Sequence, residues 1–519
     1  MWNKIKELGR GMLRRMGIIQ NLEKVSDHKH INISEKQYAD IERNKNIYAG
    51  KPVQLEYMGT KAMINRERKS LGMGKVSAKE MASLVFNEGV EIGVEQSKDK
   101  NKADKSKQWE LVNDVFTSNK FRREFQRYLE YMFAMGGMVI EVYTDGVEPK
   151  IAYADASAFF PLSNDSEEVD EAVIANTFNQ DGKYYTLLKW HEWGEWEVRN
   201  EDGELEEFNY RIKNELYEAN NSDTIGKKVN LKTLYPDMEP ETYFNLENAL
   251  FIYIKPNEAN NKYITSPLGI STFENAHDTL EMLDVMYDFW WNEFRMGKRK
   301  VAVPEYMVKT NANAYGTPYI TIDDSEELFV ALNAGEMEDF AIKDLTVDIR
   351  SEQVIESIQA LLDLLAMQVG LSVGTFTFTG EGVKTATQVV SENSKSYQTR
   401  SSHINTIEDG LRDLVLAVYE VATMLLDDSD PLKTAEPLER MDISIDFNDG
   451  VFNDQQSLLD FYLKAYNAGI IPLKVVIERV FKMSEEDAET WIHEIGEDTM
   501  KETIRAQQAT TQVELGLER

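Results

Sequence analysis

Residues 271–300 read STFENAHDTLEMLDVMYDFWWNEFRMGKRK, and this stretch decides the fold. Phe273, Ala276, Leu280, Leu283, Tyr287, Trp290 and Phe294 recur at spacings of three and four. Apolar residues at that spacing line one face of an α-helix, because 3.6 residues complete a turn. Asp278, Glu281, Asp284, Asp288 and Asn292 lie away from the stripe. Ser271-Thr-Phe-Glu274 has capping-box spacing, in which a hydroxyl caps one end amide and a carboxylate reaches back to another. The helix is expected to run from there to Gly297, just before Lys298-Arg299-Lys300. Some 25 residues at about 1.5 Å each span about 40 Å.

Downstream, residues 301–308 read as a strand. Residues 309–348 read as short strands and turns, acidic at Asp323, Asp324, Glu326 and Glu327. A second long helix starts near Ser351, striped by Val354, Ile358, Leu361, Leu365 and Val369, and stops near Gly370. Two apolar-striped helices therefore flank a small β module. Residues 372–384, SVGTFTFTGEGVK, carry Gly374, Gly380 and Gly382 among Thr375, Thr377 and Thr379, with Lys384 as the single base. Glycine admits backbone conformations closed to other residues, so this segment is expected to move between rigid helices. Thr385-Ala-Thr-Gln388 is a further capping box, opening a helix expected to reach about Leu426. Residues 391–403 within it are almost wholly polar, which places them in solvent, on a solvent channel or against a neighbouring chain. A strand at 441–447 follows, then helices with apolar faces at Leu458, Phe461, Ala465 and at Val475, Val476, Val480.

Upstream, residues 32–130 read mainly as helices. Ser77-Ala-Lys-Glu80 has capping-box spacing, residues 98–107 read as a solvated loop, and Phe125, Leu129, Met132 and Phe133 make a helical stripe. From about 138 the period becomes two, and residues 138–255 form a β-rich insert. Residues 138–143 and 150–153 read as a hairpin, and residues 184–190 and 193–198 as strand segments. Trp190, Trp193 and Trp196 could form a sugar-stacking platform or ordinary cross-strand packing. The first sixteen residues set Lys4, Lys6, Arg10, Arg14 and Arg15 against Glu7, with Trp2, Ile5, Leu8, Met12 and Met16 near helical spacing. They read as a short amphipathic interaction helix or as a basic tail.

Composition narrows the function. The 519 residues are 42% hydrophobic and 28% charged, as in a globular protein of two to four domains or one large modular one. The formal charge of −33 disfavours tight non-specific binding to nucleic acid, since phosphate neutralisation drives that binding. The chain has no cysteine, which excludes disulfides, thiolate metal sites and thiol nucleophiles. No apolar run approaches the roughly 20 residues of a membrane span. The motifs HExxH, GxSxG, GxGxxG and the EF-hand loop are all missing. Gly380-Glu-Gly-Val-Lys384 is not a phosphate loop, because Val383 separates the glycine from the lysine and a helix precedes it. No catalytic residue, cofactor or metal ligand is expected.

A set of short motifs in fixed order carries a resemblance. They are Ile47-Tyr-Ala-Gly50; Arg68, Leu71-Gly-Met73, Lys75, Ala78, Met81-Ala82, Leu84 and Phe86-Asn-Glu88; and Ala134-Met-Gly-Gly137 leading to Asp155-Ala-Ser-Ala-Phe-Phe-Pro161. Met296-Gly-Lys-Arg-Lys-Val-Ala-Val-Pro304 and Lys384-Thr-Ala-Thr387 complete the set. Together, over about residues 40–495, they resemble the portal proteins of tailed bacteriophages, in the siphophage family of Gram-positive hosts.

That resemblance implies an α+β, mainly helical fold with portal-like architecture. Residues 1–270 and 385–450 would form the wing, 271–298 and 351–371 the stem, 299–350 a small β-rich clip, 372–384 the tunnel loop and 451–519 a helical crown and tail. It implies a ring, usually of twelve subunits, at one capsid vertex of the virion, made in the host bacterial cytoplasm. Double-stranded DNA would pass through the ring in packaging and ejection, touching it weakly and non-specifically. Partners would be the terminase motor, the head–tail adaptor, and the major capsid and scaffolding proteins, with no membrane and no cofactor. Procapsid initiation and head–tail connection would follow. Expected stem oligomer-packing residues are Leu280, Leu283, Tyr287, Trp290, Leu361 and Leu365. Thr375, Thr377, Thr379 and Lys384 would face the DNA channel, Lys384 touching phosphate, lying on a solvated helix start or pairing with Glu381. Asp323, Asp324, Glu326 and Glu327 would be a docking edge or a solvated turn. The other readings are a different head-associated structural or scaffolding protein, and a carbohydrate-active enzyme built around the tryptophans.

Overall fold

The computed structural model describes residues 21–22, 24–28, 30–31, 33–58, 63–87, 89–94, 102–144, 146–165, 168–199, 203–222, 224–297, 301–304, 310–312, 318–320, 329–332, 343–344, 348–377, 394–427, 429–433, 435, 437–447, 455–481 and 488–493. These divide into two compact units, one ending at residue 446 and one from 447 onward. The fold is mixed α+β.

The first unit opens with four helices: α1 (Glu35–Tyr48), α2 (Met73–Val85), α3 (Lys102–Ser118) and α4 (Phe121–Met135). The α4 stripe buries Phe121, Phe125, Leu129, Met132 and Phe133, and α4 packs on α2. Two sequence expectations are corrected here. Helix α2 begins at Met73 behind a left-handed Gly72, so Ser77 is interior and its hydroxyl donates to the Gly74 carbonyl (3.1 Å) instead of capping. The polar run 98–107 is helical from Lys102, and Lys105 pairs with Asp442 because that helix lies beside the late turn Arg440–Asp442.

The β-rich region runs from Met138 to Ile254. Met138–Thr144 pairs with both Pro149–Asp155 and Phe251–Ile254 in a three-stranded antiparallel sheet. A seven-stranded sheet is ordered Asn21–Leu22, Gly226–Val229, Leu205–Ala219, Lys183–Arg199, Glu168–Gln180, Phe159–Asp165, with Glu241–Phe244 also on Leu205–Ala219. Lys183–Arg199 is one continuous strand of 17 residues rather than two segments. Its alternation sends Leu188 and Trp190 to one core face and Leu187 to the other. The sheets are tied by Glu141, whose buried carboxylate accepts from Lys189 at 2.8 and 2.9 Å. Burial alone would raise its pKa, but Lys189 and His191 outweigh burial and hold it at about 2. The three tryptophans form no open platform. Trp190 is buried, Trp193 meets Tyr210 edge-on at 4.7 Å, and Trp196 packs on Arg211 and Tyr243.

Two long helices follow, α5 (His277–Met296) and α6 (Ser351–Gln368), packed on each other. Between them Val301–Pro304 pairs parallel with Phe329–Leu332 and antiparallel with Lys343–Asp344, while Thr310–Ala312 pairs with Pro318–Ile320. Of the expected strand 301–308, residues 305–308 lie outside the described residues. Helix α7 (Ser394–Met424) packs on α2, α3 and the three-stranded sheet. Its polar start is not polar on every face in the way the composition suggests. Ser396, Arg400, His403 and Ile407 form a buried stripe at core spacing. Each polar member has a partner there: Ser396 meets Ser372, Arg400 donates to the Leu84 carbonyl, and His403 accepts from the Asn257 amide. Such bonds offset the cost of burying polar groups.

The second unit contains α8 (Gln455–Asn467) and α9 (Leu473–Phe481), which pack together. Val476, Ile477 and Val480 are its buried face, whereas Phe461, expected inside, is 67% exposed.

Candidate functional site

The site is built around α5, starting at its root. Ser271 does not close a capping box with Glu274, because a 3-10 turn, Glu274–Ala276, comes first and the helix starts at His277. The Ser271 hydroxyl lies near the Phe133 carbonyl at 3.4 Å, and Glu274 is buried for another purpose. Its carboxylate accepts from the Asn44 side chain at 2.5 Å and from Lys262. Asn44 bonds His277 through its carbonyl oxygen at 2.7 Å, and burial lowers the His277 pKa. The chain just before this turn touches the α4 exit so closely that both partners are glycine. Gly136 has φ 87°, and a Cβ on it would lie 2.8 Å from the Ile270 carbonyl carbon. A Cβ on Gly269 would lie 2.2 Å from the Gly136 carbonyl oxygen.

Beyond its root, α5 has three faces about 120° apart at 100° per residue. The first packs within the chain: Ala276, Leu280 and Leu283 are buried, and Tyr287 and Trp290 are half-buried. The second is acidic and holds residues 66–71. Arg66 donates two hydrogen bonds to Asp288, both 2.6 Å, and Asp288 also accepts from the Lys69 amide at 3.0 Å. Asp284 accepts from the Ser70 hydroxyl and the Leu71 amide, both at 2.9 Å. The Arg66 fork keeps the Asp288 carboxyl below its ordinary range. Asp284 and Asp288, which the pattern leaves on the polar side, are thus anchors, and Asp288 is itself buried. The third face is apolar and exposed: Met282, Val285 and Phe289 are 47%, 40% and 38% exposed, with Arg350 over the last of them. Arg350 bridges the far ends of the pair, bonding Glu293 at 2.5 Å and lying over the Phe289 ring.

In α6, Val354, Ile358, Leu362, Leu365 and Ala366 are buried, so Leu362 takes the inner position expected of the half-buried Leu361. Leu364 and Met367 stay exposed. Leu280, Leu283 and Leu365 therefore sit in the core of this chain. The sequence pattern hides the exposed set because Met282, Val285 and Phe289 keep their own three-and-four spacing beside the stronger stripe.

After α6 the chain turns at Gly370 (φ 82°) and Gly374 (φ 88°). Its first part is fastened. Thr375 donates its hydroxyl to the Ser372 carbonyl at 2.6 Å, Gln359 donates to the Phe376 carbonyl at 2.9 Å, and Phe376 is buried. Thr377 is exposed. Thr379, Lys384 and the Thr385 capping box lie outside the described residues, as do Asp323, Asp324, Glu326 and Glu327. Among the described residues no cluster of His and carboxylates could hold a metal, and no helix is long and apolar enough to cross a membrane.

A pair of long helices with an uncovered apolar face, rooted in a helix-and-sheet body, has the features of a structural assembly subunit. The chain matches the phage portal proteins described as SPP1 Gp6-like over residues 27–501, most of its length, and belongs to that family. Its role is that of a phage portal protein, a structural component. No curated protein matches the chain.

Proposed function

We propose that the chain assembles into a ring of about twelve subunits at one capsid vertex, through which double-stranded DNA is packaged and ejected. The carrying observation is the third face of α5. Three large apolar side chains on one exposed helix face call for cover, and family membership makes further copies of the chain the natural cover. In this reading α5 and α6 are the stem, residues 299–350 the clip, 372–384 the tunnel loop, and the body with α7 the wing. The second unit, whose expected start is near 451, is the crown. A ring of such acidic subunits has a bore that repels DNA, so the helix slides instead of sticking. The clip meets the terminase motor and the head–tail adaptor, the ring nucleates the procapsid with scaffolding and major capsid proteins, and the assembly resides in the virion.

Light scattering and negative-stain imaging of purified protein test this. The expected result is a particle of about 700 kDa with a central channel, from subunits of 59.6 kDa. A monomer at every concentration and salt overturns it.

A further inference from the structure

A second uncovered apolar surface lies on the same chain. Gln54–Met58 and Met63–Glu67 form a two-stranded hairpin with Met58 opposite Met63, Tyr57 opposite Ile64 and Leu55 opposite Arg66. Leu55 and Arg66 are half-buried at its base. Toward the turn, Met58 and Met63 are 76% and 61% exposed on one face, and Tyr57 and Ile64 about 40% exposed on the other. An isolated two-stranded hairpin is marginally stable in water, and covering the apolar side chains on both faces of its end would stabilise it. This end is built to lie against something.

The hairpin and the third face of α5 are held in fixed relation, because Arg66 at the hairpin base grips Asp288 on the second face of the helix. One chain thus carries two different apolar patches, one on α5 and one on a hairpin bonded to it. Two unlike patches that complement each other make a head-to-tail contact, and repeating that contact gives a ring when the rotation between neighbours closes. Charge permits this pairing. The chain carries −33, so copies repel wherever carboxylates meet, yet Tyr57, Met58, Met63, Ile64, Met282, Val285 and Phe289 are all uncharged.

We propose that the hairpin end of one copy covers the Met282, Val285 and Phe289 face of the next. This rests on the ring reading above and names the contact that would hold neighbours in register.

The absence of native cysteine gives a direct test. Met58→Cys and Val285→Cys are made in separate chains, co-expressed with distinguishable tags, and treated with a short bis-maleimide. Cross-linked dimers containing one chain of each kind are expected. Neither single-variant preparation should cross-link, nor should a mixture of Met58→Cys with Val147→Cys, whose site is 84% exposed. Met58→Glu with Met63→Glu should also raise the concentration needed for assembly at least tenfold while leaving the circular dichroism spectrum unchanged. Rings that form without the mixed cross-link, or that cross-link equally at Val147→Cys, overturn the hairpin contact alone. A parent chain that stays monomeric overturns the ring reading and the contact with it.

Discussion

Arg66 and Asp288, 222 residues apart in sequence, face each other through two parallel hydrogen bonds of 2.6 Å. This fork fixes residues 63–69 to the middle of α5. Arg66→Met would leave a largely buried carboxylate with little beyond the Lys69 amide and Asn292. The expected loss is about 2 kcal/mol, the scale of hydrogen bonds to a charged group. Urea unfolding measures it, and Asp288→Asn in the same chain should recover part of the loss. A single variant as stable as the parent would show that the fork carries no stability.

Leu283 and Val285 are two residues apart on α5 and face different surroundings, one fully buried and the other 40% exposed. Leu283→Asp places an unpaired charge in the core, costing about 3–5 kcal/mol, and should abolish folding. Val285→Asp should leave a folded chain that fails to assemble. Circular dichroism and sedimentation velocity separate the outcomes, and identical behaviour of the two variants would refute the assignment of faces.

The His403 imidazole is buried against Phe133, and burial lowers its pKa from 6.5 to about 4. The unfolded chain therefore binds a proton between those values that the folded chain refuses. Stability from this group is complete above pH 6.5 and is lost as pH falls toward 4, by about 3 kcal/mol across the window. His403→Gln should flatten the dependence. A variant whose urea midpoint falls with acid as steeply as the parent's would contradict the burial argument.

Lys384 is the single base in residues 372–384 and tests the tunnel-loop role. Lys384→Glu should give normal procapsids with less DNA packaged or retained. DNA content per particle decides: filling equal to the parent removes Lys384 from the mechanism and leaves the portal role untouched.

Reversal of Asp323, Asp324, Glu326 and Glu327 to lysine should impair motor or adaptor docking while procapsids still form. Counts of packaged and empty particles measure this. Unchanged packaging would return those carboxylates to the status of a solvated turn.

Helices α5 and α6 were legible because each carries a clean apolar period, and the β-rich insert and strand module because strand-like runs alternate with turns. The α5 stripe from Phe273 to Trp290 marks its inner face, and Met138 begins the first strand of the β-rich region as observed. What the pattern hid is polar burial. Ser396, Arg400 and His403 sit at core spacing yet read as a solvated stretch, since hydropathy does not register partners brought from Ser372, Leu84 and Asn257. Asp284 and Asp288 were obscured in the same way, because carboxylates at helical spacing look like a wet face until residues 66–71 are folded onto them. The capping boxes at Ser77 and Ser271 misled because a four-residue match cannot see where the preceding chain already turns.

The root of α5 is clamped at Gly136 against Gly269 and at Glu274 between Asn44 and Lys262, whereas its far end is braced by the thinner contact between Arg350 and Glu293. Mechanically this is a lever about 30 Å long at 1.5 Å per residue, held also at Asp288 by Arg66 and along its length by α6. A force applied to residues 301–344 would pass along the paired helices to the Arg66 anchor and on to the junction of α1, α4 and the three-stranded sheet. Whatever grips the strand module at one end is therefore felt in the body of the protein at the other.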